Sequence, residues 1–182
     1  MEKLVRCFIA LELSREAIDE IENIQNLIKK KNLFYGKLTE PENLHLTLKF
    51  LGEIPEEKLK QAQEALKKIK YQTFEANLGE LGLFSNRAQM ILWLKLQGKG
   101  IFDLQKQIDK SLESLFPIEA RFMSHITIAR IKKLPDKKVF LEYIKNLKHT
   151  PVKFKVSEFI LKESELKSDG PVYKNIEQFE AE

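Results

Sequence analysis

The segment PENLHLTLKFLGE, Pro41 to Glu53, decides the reading of the chain. From Leu44 to Leu51 it alternates: Leu44, Leu46, Leu48 and Phe50 fall on one face, and His45, Thr47 and Lys49 on the other. Burial of one face fixes the register of such a strand, so the His45 imidazole and the Thr47 hydroxyl point away from the core. Gly52 ends the strand. Pro55, with Glu56 and Glu57, opens a helix whose apolar stripe is Leu59, Ala62, Leu66 and Ile69. A further strand runs from about Phe74 to Phe84.

Upstream, Leu4 to Leu13 reads as a strand and Ser14 as the N-cap of a helix carrying Ile18, Ile21, Ile24 and Ile28 to Lys31. Lys29-Lys30-Lys31 and Lys67-Lys68 sit at helix ends, where cations complement the carbonyl end of the dipole. A polar loop spans the residues up to Asn43. Downstream the order repeats. Met90 to Leu96 is an apolar strand, and Gly98-Lys99-Gly100 turns into a helix with Ile101, Ile108, Leu112 and Leu115, stopped by Pro117. Ser124 to Ile131 is a strand with Ile126 and Ile128 on one face and His125 and Thr127 on the other. Pro135-Asp136 starts a helix with Val139, Tyr143 and Leu147, and Pro151 precedes a last long strand, Val152 to Leu161.

His125 lies 80 positions after His45, and the same offset relates Thr127 to Thr47, Pro135 to Pro55, Phe154 to Phe74 and Leu161 to Leu81. One shared His-x-Thr is weak; a register kept through a helix start and the next strand points to internal duplication. The expectation is one domain, 1–182, of two pseudo-symmetric lobes. The repeats fall at roughly 4–84 and 90–164, with an extension at 165–182.

Each half thus presents an imidazole and, two residues on, a hydroxyl. Packed about a pseudo-twofold, the pairs face each other across a cleft suited to in-line displacement at phosphorus. One histidine accepts a proton from water, the other gives one to the leaving oxygen, and Thr47 and Thr127 bind the non-bridging oxygens. Zinc needs three or four ligands, and only His149 and Cys7 remain as His or Cys candidates, so no metal is expected. Cys7 is in phase with Val5, Ile9 and Leu11 and reads as core. His149 falls at a helix C-terminus. A single cysteine fits a reducing cytoplasm, and no apolar stretch near the start is long enough for a signal peptide or a membrane span. The net charge, +4 from 31 Lys+Arg against 27 Asp+Glu, suits a polyanionic substrate without singling out nucleic acid.

PENLHLTLKFLGE, HITIAR (His125 to Arg130) and the opening FIALEL (Phe8 to Leu13) are similar to the two-histidine phosphoesterase superfamily. Within it they resemble the branch of bacterial and archaeal RNA 2′,3′-cyclic phosphodiesterases, also called 2′-5′ RNA ligases. The similarity runs from the first strand to GPVY (Gly170 to Tyr173). It implies a bilobal α+β fold with two antiparallel sheets lining a central groove and helices packed outside, and no cofactor. It also implies hydrolysis of RNA-terminal 2′,3′-cyclic phosphate to a 2′-phosphate, with ATP-independent 2′-5′ ligation as the related reversal. By this resemblance His45 and His125 are catalytic, and Thr47, Thr127 and Arg130 bind phosphate. Strict alternation puts Arg130 on the Ile126 face, so a bulge or strand end near Ala129 is required. The resemblance leans toward His45 as acid and His125 as base, with the opposite assignment open. Lys49 is read either as a phosphate contact or as a solvated lysine. The loops Leu33 to Leu38 and Phe84 to Gln89 are candidates for base stacking, although core packing is the simpler reading of Phe34. The alternatives are small cyclic nucleotides or 2′-5′ oligoadenylates as substrates, or a non-catalytic RNA- or nucleotide-binding module. A monomer without membrane or metal partner is expected.

Overall fold

The computed structural model describes residues 3–86, 90–168 and 170–182. In chain order the elements are β1 (Leu4–Leu11), α1 (Arg15–Lys31), β2 (Tyr35–Leu38), a 3₁₀ turn (Pro41–Asn43), β3 (Leu46–Pro55), α2 (Glu56–Leu66) and β4 (Phe74–Ser85). There follow β5 (Met90–Gln97), α3 (Lys99–Ser111), β6 (His125–Lys133), α4 (Lys137–Asn146), β7 (Lys153–Val156), β8 (Glu158–Lys167) and β9 (Gly170–Glu180). The fold is α+β and its strand pairings are antiparallel.

The strand order is β7-β4-β5-β6-β3-β1-β8-β9, with β2 also on β6. The two expected sheets are the arms of this array, joined where β3 meets β6 at the single pair Leu46 and Ile126. Beyond that pair the strands diverge and β2 takes the free edge of β6. Gly36 permits this, because a Cβ there would lie 2.3 Å from the Arg130 carbonyl oxygen. The arms are not the halves of the chain. β4, from the first half, pairs with β5, and β8, from the second, pairs with β1. The predicted strand Val152–Leu161 therefore splits at Ser157 into β7, which stays on β4, and β8, which crosses to β1.

Ser14 caps α1, accepting from the Ala17 amide at 3.2 Å, and Ile21, Ile24 and Ile28 are fully buried. Asp136 caps α4 in the same way through the Val139 amide. That start puts Phe140 and Ile144 in the core and leaves Val139 exposed, so the expected stripe is rotated by one residue. β2 and β9 were not expected. β2 has only four residues and a glycine, while β9 buries only Phe179 and lacks a clean alternation.

Candidate active site

His45 lies one residue before β3 and His125 is the first residue of β6, so the Leu46–Ile126 pair sets the two histidines side by side at the junction of the arms. Both rings, Thr47, Thr127 and Arg130 line one groove of about 550 Å³. Arg6, Phe8, Phe50, Ser164 and Tyr173 complete much of its wall on the β3-β1-β8-β9 arm, and Lys37 and Glu40 stand at its edge.

The two imidazoles are held alike. Nδ1 of His45 is 2.8 Å from the Asn43 carbonyl oxygen, and Nδ1 of His125 is 2.8 Å from that of Met123. A carbonyl only accepts, so Nδ1 carries the hydrogen in each ring and Nε2 is left as the basic nitrogen. Nε2 of His45 lies 3.0 Å from Thr47 Oγ1, where the hydroxyl donates to the neutral ring. Aromatic rings brace both. Phe8 and Tyr173 stand 4.9 and 5.1 Å from His45, and Phe84 stands edge-on at 5.1 Å from His125.

Desolvation by burial pushes His45 down to about 4. The Asn43 carbonyl opposes this, while the charges of Lys162, His125 and Arg130 add to it. The two rings therefore act within one local field. Burial also raises the Tyr173 phenol.

Both histidine strands carry a bulge at the corresponding place. In β3, Ile9 pairs with Lys49 and Ala10 with Thr47, so Leu48 is the extra residue; in β6, Leu92 pairs with Ala129 and Trp93 with Thr127, so Ile128 is extra. Each bulge reverses the facing of the residues after it. Ala129 turns into the core and Arg130 swings onto the groove side, which supplies the bulge that the alternation required. In β3 the same reversal overturns two expectations. Phe50 leaves the core face and lines the groove at 52% exposure, while Lys49 is 5% exposed. Lys49 is neither solvated nor among the residues that line the groove: it pairs with Asp109 of α3 and donates to the Pro117 carbonyl at 2.6 Å.

The helices hold these bulges through residues that are again 80 apart. Gln25 donates to the Ile128 carbonyl at 2.9 Å, and Gln105 donates to Asp109, the partner of Lys49, at 2.6 Å.

Phe34 packs edge-on against Phe140 and is partly buried on the core, away from the groove. Of the segment Phe84 to Gln89, Phe84 contacts His125, and residues 87–89 lie outside those described. Burial raises the Cys7 thiol to about 11, which removes it as a nucleophile at neutral pH. His149 is past the end of α4, spanning the carbonyls of Thr150 and Gly79 at 3.0 and 2.8 Å. Among the described residues no group of three or more His, Cys, Asp and Glu could hold a metal ion. No described helix is long and apolar enough to cross a membrane.

The sequence matches the family described as LigT-like phosphoesterase over residues 11–93 and 95–173, which takes in both histidine strands, β8 and the start of β9. The chain belongs to the LigT-like phosphoesterase family. Among relatives, it is 34% identical over 181 residues to the RNA 2′,3′-cyclic phosphodiesterase of Methanothermobacter thermautotrophicus, covering 96% of this chain and 98% of that protein. It is 32% identical to the Methanocaldococcus jannaschii protein of the same name, with 96% and 100% covered. A crystal structure from Thermus thermophilus superposes with a TM-score of 0.78 at 29% identity, covering 96% and 97% of the two chains. E. coli LigT in its apo form shares the fold, with a TM-score of 0.76 at 22% identity over 98% of each chain.

Within this LigT-like groove, sequence reasoning did not find Phe8, Phe50, Tyr173, Arg6 or Ser164. Phe50 was hidden by the bulge. Tyr173 and Ser164 reach the site from β9 and β8, on the far side of β1 from the motif strands, and only the motif GPVY hinted at that hairpin.

Proposed function

We propose that this protein hydrolyses RNA-terminal 2′,3′-cyclic phosphates to 2′-phosphates, using His45 and His125 as its acid–base pair and no metal. One observation supports this reading above the others: two imidazoles, each with Nδ1 tied to the carbonyl two residues before it and so with Nε2 left as the basic nitrogen, line a single groove. Two threonine hydroxyls and the Arg130 guanidinium line the same groove. The names of the relatives point to the same substrate.

In the reaction, water attacks phosphorus as the bond to O3′ breaks. One imidazole takes the proton of the water and the other protonates O3′. Thr47, Thr127 and Arg130 donate hydrogen bonds to the non-bridging oxygens, where charge builds. The step needs one neutral and one protonated ring. Burial keeps His45 neutral in the free protein, which reverses the leaning drawn from the family resemblance: His45 is assigned as the base toward water and His125 as the acid toward O3′. With the 5′-hydroxyl of a second RNA strand attacking phosphorus in place of water, and O3′ leaving in the same way, the same groups would form a 2′-5′ linkage.

The test is turnover of an oligonucleotide ending in a 2′,3′-cyclic phosphate in excess chelator. The wild type converts it to the 2′-phosphate, and His45→Ala and His125→Ala abolish conversion. Turnover that stops with the chelator sinks the metal-independent reading, and a 3′-phosphate product sinks the assigned regiochemistry. Binding without turnover would favour a nucleotide-binding module instead.

A further inference from the structure

His45 and His125 depend on the carbonyl that receives their Nδ1–H, and the two carbonyls are anchored differently. Next to Met123, Ser124 ties the chain to β5: its Oγ donates to the Leu96 carbonyl at 2.5 Å, and the Leu96 amide donates back to the Ser124 carbonyl at 3.4 Å. The His125 side is therefore fixed by its own sheet.

The carbonyl serving His45 belongs to Asn43, the last residue of the 3₁₀ turn, which lies outside the strands. The turn itself is fixed by two short bonds, the Asn43 amide to the Glu40 carbonyl at 2.9 Å and the Leu44 amide to the Pro41 carbonyl at 3.2 Å. The Asn43 side chain makes the long-range tie. Its Nδ2 donates to the carbonyl of Pro171, in β9 and 128 positions away, at 3.2 Å, and approaches Glu40 Oε2 at 3.5 Å. Glu40 is in turn paired with Lys37 at 2.6 Å across the groove edge. One residue thus receives the imidazole on its backbone and grips the hairpin with its amide. The same hairpin delivers Tyr173, whose ring stands edge-on to His45 at 5.1 Å.

We propose that Asn43 is a positioning residue that couples the β8–β9 hairpin to the orientation of the His45 ring. The inference rests on the two-histidine reading above. Only a donor at the Nδ2 position serves the Pro171 carbonyl. An aspartate at this position would have the same shape and no donor, and its charge would face Glu40. A ring freed to turn about its Cβ–Cγ bond carries Nε2 off the line of attack, and misplacement on the ångström scale costs up to about a hundredfold in rate.

The experiment compares the wild type with Asn43→Ala, Asn43→Asp and Asn43→Gln on a cyclic-phosphate-ended oligonucleotide. In parallel, the His45 Nδ1–H signal is followed in ¹⁵N-histidine-labelled protein without substrate. Asn43→Ala and Asn43→Asp are expected to lower kcat at least tenfold with KM changed less than threefold, and to broaden or lose that signal. Asn43→Gln, which retains a donor, recovers part of both. Wild-type kcat in the Ala and Asp variants overturns the proposal, as does a fall in kcat with the Nδ1–H signal unchanged. If the wild type itself proves inactive on cyclic phosphates, the functional reading fails, and the imidazole signal still decides the role of Asn43. Should the Ala and Asp variants fold poorly, Asn43→Gln carries the test: a fall of kcat and signal together supports coupling, and a fall in one without the other, or in neither, refutes it.

Discussion

The depressed His45 carries a measurable consequence for stability against pH. In the unfolded chain the imidazole titrates near 6.5, and in the folded protein burial holds it at about 4. As pH falls below 6.5 the unfolded state takes up a proton that the native state refuses. The stability contribution is therefore complete above 6.5 and is lost as pH falls through the interval down to about 4. At about 1.4 kcal/mol per pKa unit the full loss is about 3 kcal/mol by pH 4, with about 2 kcal/mol of it between pH 7 and pH 5. The ring keeps an edge in the groove, and solvent there screens part of the effect, which brings the expected loss over that range to about 1–2 kcal/mol.

The assay is urea unfolding at pH 7 and pH 5 for the wild type and for His45→Gln, whose amide does not titrate. Carboxylates titrate alike in both proteins, so the difference of differences isolates His45. The wild type should lose about 1–2 kcal/mol more than the variant. With His45 as the proposed base, the acid limb of kcat/KM for the wild type should have its midpoint near pH 4. Equal losses in the two proteins would refute the burial argument. An acid limb near pH 6.5 would refute the assignment of His45 as base.

The Lys49–Asp109 pair is buried on both sides. Lys49→Met should cost about 3–5 kcal/mol in denaturant unfolding because it strands the Asp109 carboxylate, and adding Asp109→Leu should recover much of that loss. Arg130→Ala should lower kcat/KM for a cyclic-phosphate-ended oligonucleotide by about a hundredfold, with Arg130→Lys between the two, because the ammonium keeps the charge without the guanidinium's fork. Unchanged kinetics in Arg130→Ala would place the guanidinium away from the phosphate.

The elements that alternate cleanly and are capped in sequence were legible from the chain. Ser14 and the isoleucines give α1, and Leu46 and Leu48 against His45 and Thr47 give the first half of β3. The 80-residue spacing brought both histidines to one place because equivalent strands meet at Leu46 and Ile126. Illegible were the features that depend on pairing partners rather than on the strand itself. Nothing in VKFKVSEFIL marks Ser157 as the point where the chain passes from one arm to the other. Likewise β9 is recognisable only by its ten-pair ladder with β8.

The bulges at Leu48 and Ile128 show why a period of two can be right for half a strand and wrong for the rest. A single extra residue leaves His and Thr facing the groove but exchanges the positions that follow it, until in β3 a second shift at Leu51 returns Ile54 to the core face. The sequence does carry a trace of this in the types it places there. Read without bulges, Ala129 would face the groove and Arg130 would sit in the core, which a guanidinium resists. For β3 the same logic is masked, because Lys49 on the groove side and Phe50 in the core look comfortable to an alternation argument. Its true arrangement depends on Asp109, 60 residues on, which makes a buried ammonium tolerable. The duplicated device therefore yields two unlike products: a guanidinium facing the groove beside His125, and an aromatic ring facing it beside His45. A groove with a cation on one arm and Phe50, Phe8 and Tyr173 on the other is asymmetric although its histidines are matched. That asymmetry is what would let two matched histidines, acting as the proposed acid–base pair, receive a substrate in one direction.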